Sequence, residues 1–149
     1  MNDNKKKGLK LACKSIEDIK VISAYLQDSI VIVRDIVFLN KNRTFVMIVN
    51  RFMWEDIEKG LFRKNKRIRC ALKFENVLKV KSQNINQKNI KKFLEFLAIK
   101  CTFTIEENYK INIFFSGNNI ITIISEAIDV VMEDLGEQWE VKYVPSHKI

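Results

Sequence analysis

A single histidine, His147, and the absence of any Cys-x-x-Cys pair leave this chain of 149 residues short of the side chains that most often do acid–base work or hold zinc. His147 follows the sole proline, Pro145, in a stretch where no predicted element would hold an imidazole in place. The three cysteines, Cys13, Cys70 and Cys101, lie far apart, and an odd number of them argues for free thiols in a reducing compartment. Cys70 and Cys101 fall on apolar faces of predicted strands, where cysteine packs as a small hydrophobe. The four glycines (Gly8, Gly60, Gly117, Gly136) are isolated from one another, which excludes a glycine-rich phosphate loop. No apolar run approaches the roughly 20 residues that cross a bilayer. Leu9–Cys13 is interrupted by Lys10 and too short for a signal segment. The expectations are a cytoplasmic protein with no membrane association, no cofactor and no metal.

What is present is a well-supplied core. Hydrophobic residues make up 47% and charged residues 30% of the chain, a globular rather than a disordered balance. The expected organisation is a disordered basic tail over 1–8, one globular domain over 9–144 and a short tail over 145–149. The central stretch is Asp35–Trp54, a predicted β-hairpin whose arms join through Asn40-Lys41-Asn42-Arg43. Its second arm is apolar on both faces, with Phe45, Met47, Val49 and Met53 on one and Val46, Ile48, Phe52 and Trp54 on the other. A strand covered on both sides belongs in the middle of a sheet. Asn50 and Arg51 interrupt it where the core should continue.

Before the hairpin, Ser15 to Asp18 has the form of a capping box, and Ile16, Ile19, Ile22, Tyr25 and Leu26 recur at helical spacing. This predicts a helix over 16–27, followed by a short β-branched strand at Ile30–Val33. After it, Ile68, Cys70, Leu72 and Phe74 alternate with Arg69, Ala71, Lys73 and Glu75, a half-buried strand with a basic outer face. Ile90, Phe93, Leu94 and Leu97 fit a short helix capped by Asn86 or Asn89. A meander follows, with turns at Glu107-Asn108-Tyr109 and Gly117-Asn118-Asn119. For 125–135 two patterns compete: a helix ended by Gly136, or a bent strand, which the alternation of Ile128, Val130 and Met132 favours. The predicted class is α+β and mainly antiparallel β: a curled sheet, half-barrel or pleckstrin-like barrel with an N-terminal helix and one short internal helix.

The formal net charge is +8 and is unevenly spread. Positions 59–92 hold twelve Lys or Arg and one acid, Glu75, whereas 126–140 hold six acids and no base. Lys, Ile and Asn supply 55 of the 149 residues, the bias of an AT-rich genome, which makes codon usage an alternative source of the charge beside selection for a polyanion. The bipolar pattern admits solvated surfaces, a basic face for a polyanion, or basic and acidic segments that meet within one chain or across a homodimer. Arg67, Arg69 and Lys73 represent the basic side of such an interface, and Asp134 and Trp139 the acidic side. The adjacent acids Glu17-Asp18, Glu106-Glu107 and Glu133-Asp134 read as solvated surface. Asn50, Arg51, Trp54 and Glu55 are the other candidates, because Arg is the usual partner of carboxylate or phosphate and Trp is favoured at binding hot spots. The plain alternative has Arg51 escaping to solvent at a strand end while Trp54 closes the core.

Four blocks, Ile22–Asp28, Asn50–Glu55, Leu97–Lys100 and Asp134–Trp139, carry a resemblance that spans about Leu9 to Val144. The chain resembles a family of small alphaproteobacterial proteins catalogued as a domain of unknown function (DUF2948). The family pattern is richer in Arg, Ala and Gly where this chain has Lys, Ile and Asn. The resemblance implies a bacterial cytoplasmic protein and supplies neither an activity nor catalytic residues. The functional expectation is a non-enzymatic interaction or adaptor module with a possible protein partner or second copy of itself. The alternatives are a small-ligand site or enzyme built from Arg51, Trp54 and the Gln27-Asp28 helix end, or weak nucleic-acid binding by the basic 59–92 region.

Overall fold

The computed structural model describes residues 8–54 and 66–140, with side chains of the last strand only as far as Gly136. The elements in order are β1 (Lys10–Cys13), α1 (Ile16–Leu26), β2 (Ile30–Leu39), β3 (Thr44–Phe52), β4 (Lys66–Phe74), β5 (Val77–Gln83), β6 (Phe93–Phe103), β7 (Tyr109–Phe115), β8 (Asn119–Ser125) and β9 (Val130–Glu140). All nine strands form one curled, open antiparallel sheet in the order β1-β9-β4-β3-β2-β6-β7-β8-β5. The hairpin β2–β3 sits near its middle, as the two apolar faces of β3 require. A single 3₁₀ turn, Asn40–Asn42, joins its arms, with Arg43 in the left-handed region at φ 52°. Left-handed residues also mark the later tight turns: Asn76, Asn84, Glu107, Gly117 and Asn118.

Two features fold the sheet onto itself. The first is β6, whose start pairs with β2 (Ile32↔Phe93, Ile30↔Glu95) and which from Phe96 onward pairs with β7, with a register shift between Phe96 and Ala98. The second is the corner at Glu75-Asn76, which sends the chain from β4 in one half to β5 at the far edge of the other. Backbone bonds close that corner, from Val77 N–H to Arg43 O at 2.9 Å and from Glu126 N–H to Asn76 O at 3.0 Å. The concave face is then lined by alternate residues of both halves: Phe45, Met47 and Val49 of β3, Cys70, Leu72 and Phe74 of β4, Ile111 and Ile113 of β7, Ile121 and Ile123 of β8.

Helix α1 lies against β6 and buries Ile19, Ile22 and Leu26 in this core. Ser15 caps it as the sequence predicts, its hydroxyl accepting from Asp18 N–H at 3.1 Å. Of the ambiguous segment, 130–135 is strand, part of β9 (Val130–Glu140), whereas 126–129 bend between β8 and β9 with Ile128 buried, so no single strand continues from Ile124. Gly136, at φ 68°, is no helix cap. It stands where β9 loses register with β4 between Arg67 and Arg69, the signature of a glycine bulge.

The predicted internal helix over Ile90–Leu97 is a correction. Residues 85–92 form turns, and Phe93 begins β6. Leu94 and Phe96 are buried, whereas Phe93 (65% exposed) and Leu97 (41%) point outward. The spacing of Ile90, Phe93, Leu94 and Leu97 mimics a helix because three exposed apolar residues, Ile90, Phe93 and Leu97, fall at core-like spacing around buried Leu94.

Candidate functional site

On β3 the inward positions run Phe45, Met47, Val49 and then Arg51, so the strand's own alternation drives the guanidinium into the concave face. Arg51 is 0% exposed and the Asp134 side chain 1%. The two come from strands separated by β4 and meet over Cys70, which is Asp134's cross-strand partner. The pair is bidentate: Nε donates to Oδ1 at 2.7 Å and Nη2 to Oδ2 at 2.6 Å. Arg51 Nη1 also donates to Phe52 O at 3.3 Å, and the guanidinium lies 5.8 Å from the centre of the Tyr25 ring. Asp134 Oδ2 accepts a third bond, from Leu9 N–H at 2.8 Å, which ties the start of the domain to the pair. Burial, reinforced by the neighbouring Asp134 charge, pushes the Cys70 thiol up to about 12.

Two expectations are corrected here. Asp134 is not solvated surface, because it is an inward residue of β9 rather than part of an acidic turn. Arg51 does not escape to solvent at a strand end, because β4 and β9 continue past it and close over the position.

A second group forms around the end of α1. Asp28 adopts φ 63°, is buried, and donates its N–H to Phe96 O at 3.1 Å. This bend aims two carbonyls outward. Gln27 O accepts from Trp54 Nε1 at 2.9 Å, while Asp28 O and Asn50 O accept from Arg67 Nη1 at 3.2 and 3.1 Å. Trp54 packs edge-on against Phe52 at 4.5 Å, and the Arg67 guanidinium covers the same Phe52 ring at 5.9 Å. Burial lowers the pKa of Arg67, with Asp28 and Glu95 opposing the shift. Where β6 crosses from one half of the sheet to the other, the outer surface is concave. A cleft of about 600 Å³ there is lined by Ile30, Asn50, Arg67, Phe93, Glu95 and Ser116. A hollow of about 390 Å³ beside α1 is lined by Lys20, Val21, Ala24, Tyr25 and Trp54.

Of the residues singled out from sequence, Gln27, Asp28, Asn50, Trp54 and Arg67 thus converge at one corner, with the Arg51–Asp134 pair on the inner side of the same strands. Arg69 and Lys73 do not join them. Both lie on the exposed outer face of β4, where Lys73 Nζ pairs with Glu75 at 2.9 Å. Glu55 lies outside the described residues, as does the side chain of Trp139, whose backbone pairs with Arg67. The basic and acidic segments meet within one chain. Strand β4 is hydrogen-bonded to β9, while the acidic segment's ion pairs come from residues outside 59–92: Lys10–Glu133, Lys14–Asp129 and Arg43–Glu126 at 4.0, 2.6 and 3.0 Å.

Sequence reasoning counted Lys79 and Lys81 in the basic 59–92 region but missed the surface they join. Lys79 and Lys81 of β5, Lys110 of β7 and Lys100 of β6 come together on the outer face of the second half-sheet. Each lysine shows the two-residue alternation of its own strand, but the order β6-β7-β8-β5 that makes them neighbours leaves no local trace.

Among the described residues, no group of three or more His, Cys, Asp or Glu side chains is placed to hold a metal ion. No described helix is long and apolar enough to cross a membrane. In comparison with known proteins, the profile of the family described as Protein of unknown function (DUF2948) matches residues 9–147. Neither the curated proteins nor the solved structures yield a match.

Proposed function

The chain belongs to the DUF2948 family, and from that premise we propose that it is a non-enzymatic interaction module, an adaptor or assembly factor of the cytoplasm. The observation that carries this reading is the outer cleft at the β2–β6 junction. Phe93 stands there 65% exposed beside Arg67, whose guanidinium is held in place by two backbone carbonyls. An exposed aromatic next to a fixed arginine is the composition of a binding hot spot. The fitting partner is a protein segment that offers an apolar side chain to Phe93 and a carboxylate to Arg67. Meanwhile Arg51, the residue best suited to carboxylate or phosphate recognition, already binds Asp134 inside the fold.

A second reading has one observation in its favour: the hollow beside Tyr25 and Trp54 offers two aromatic walls and Lys20 to a small anion. The two readings separate experimentally. A photo-crosslinking residue at position 93 should trap one discrete protein adduct in the native cell, and Asn50→Asp, which places a carboxylate in the cleft, should abolish it. The same probe at Val21 should not give that adduct. A metabolite that raises the melting temperature by mass action, and ceases to do so in Trp54→Ala, would replace the module reading with the ligand-site one.

A further inference from the structure

On the outer face of the second half-sheet, the register places three rows of residues side by side. They are Lys79, Ile124, Lys110 and Thr102; then Lys81, Thr122, Asn112 and Lys100; then Gln83, Ile120, Phe114 and Ala98. Twelve outward positions on four strands thus hold four lysines and no acid. All four lysines are exposed. Codon bias can add lysine to a chain, but it does not clear carboxylates from one face of it. The sheet is also not bare. Phe114 lies on β7, an inner strand of the four, half-buried, with Lys100 Nζ 5.8 Å from its ring centre. Asn112 accepts from the Thr122 hydroxyl at 2.8 Å, so its amide N–H groups point away from that bond and remain as donors. A groove of about 470 Å³ runs over Lys79, Lys81, Lys110 and Thr122 and is closed at one end by the β6–β7 turn. That turn contributes Glu106, an acid at the margin of the face rather than within it.

We infer that this face binds single-stranded nucleic acid, with Lys79, Lys81, Lys100 and Lys110 on phosphates and Phe114 as the stacking platform for a base. The inference uses a surface distinct from the Phe93 cleft and stands or falls without it. The chemistry favours a nucleic acid over an acidic protein because a polyanion must meet cations distributed across the strands, not a single cluster. Lys79 and Lys81 stand two residues apart on the edge strand, roughly 7 Å at strand rise, with Lys110 and Lys100 two and three strands further in. A four-stranded face that combines cations with an aromatic on an inner strand is how sheet proteins hold single strands. Asn112 lies between Lys81 and Lys100 in the middle row, with Thr102 and Gln83 at the ends of the rows on either side; these uncharged donors suit base edges or sugar hydroxyls.

The test is fluorescence anisotropy of the purified chain with labelled single-stranded oligonucleotides and an abasic oligomer of equal charge. If all four lysines meet phosphates, log affinity should fall against log salt with a slope of about −2.8, roughly a 50-fold loss between about 50 and 200 mM. Lys81→Gln with Lys110→Gln should reduce that slope by about 1.4, whereas Arg69→Gln with Lys73→Gln on the other half-sheet should leave it unchanged. Phe114→Leu, which keeps an apolar side chain on the strand, should weaken binding at least about fivefold, and the abasic oligomer should bind weaker by a similar factor. Unfolding temperatures of the variants check that each is folded. No binding at low salt overturns the inference. So does equal binding of the abasic oligomer with Phe114→Leu unaffected, which would mark general polyanion attraction. Preference for an acidic peptide or an anionic vesicle over the oligonucleotide overturns it as well.

Discussion

The buried pair predicts its own fragility. Asp134→Ala removes three hydrogen bonds at once, to Arg51 Nε, Arg51 Nη2 and Leu9 N–H, and leaves a guanidinium of 0% exposure facing a cavity. Removing one partner of a buried pair costs about 3–5 kcal/mol, because the remaining charge has no solvent to return to. That is a large share of the roughly 5–15 kcal/mol that holds a domain together. For a domain of this size it corresponds to a fall in melting temperature of about 6–20 °C. Equilibrium urea unfolding read by far-UV circular dichroism would show it as a midpoint lowered by roughly 2 M with the slope unchanged. The double variant Arg51→Met with Asp134→Leu provides the counter-test. It removes both charges, fills similar volume, and should be more stable than Asp134→Ala alone. Hydrogen exchange adds a local readout: amides of β1 should lose protection, because Leu9 N–H is anchored on the same carboxylate. A loss below about 1 kcal/mol for Asp134→Ala, or a double variant as unstable as the sum of its singles, would refute the reasoning.

Three further outcomes follow from the geometry. Gly136→Ala should cost about 1–2 kcal/mol even though nothing lies within 4 Å of the added methyl, because φ 68° strains any side chain; an unchanged melting temperature would show that the bulge relaxes. A thiolate-selective reagent at about pH 8 should modify part-exposed Cys101 first, since burial raises all three thiols and pushes Cys13 and Cys70 up to about 12; rapid labelling of Cys70 in the native protein would contradict the sealed core. Glu75 is held below its usual 4.5 by Lys73 and Thr44, and Asp18 below its usual 3.8 by Lys14 N–H and Ser15. Their contribution to stability is present above those ordinary values and is lost as pH falls through the lowered folded ones. Stability should therefore drop below about pH 4.5, and Glu75→Gln with Asp18→Asn should flatten that acid limb in urea titrations at stepped pH; an unaltered limb would place the acid sensitivity elsewhere.

Local patterns alone were enough for much of the fold. The capping box of Ser15 and the spacing of Ile19, Ile22 and Leu26 specify α1, and the doubly apolar run of β3 specifies a central strand. Left-handed positions at Asn76, Asn84 and Asn118 are written in a residue type that tolerates them, whereas Glu107 is not such a residue. Each of these is settled by neighbours in the chain within a turn or a strand, which is why it can be read without coordinates. The same short range explains the misread helix at Ile90–Leu97. Whether Phe93 faces core or solvent depends on β2, some sixty residues earlier.

The site was legible as a list and illegible as an arrangement. Asn50, Arg51, Trp54, Asp134 and Arg67 can be picked out as unusual residue types in apolar surroundings. That Arg51 binds Asp134, 83 positions away and across an intervening strand, is a consequence of β9 pairing with β4. The bipolar charge was visible in sequence, but an acidic and a basic segment can meet within a chain or between chains with equal Coulombic reward. Sheet order places β4 and β9 side by side within the chain, which no local pattern records. Strand order likewise created the lysine face, since Lys79, Lys100 and Lys110 belong to three different strands and become neighbours only when β6, β7, β8 and β5 assemble. The sequence by itself determined which residues face the same side of each strand, because that follows from a two-residue period. Tertiary structure alone decided which strands lie together, because non-local pairing is chosen by the burial of the whole sheet and not by any residue in it.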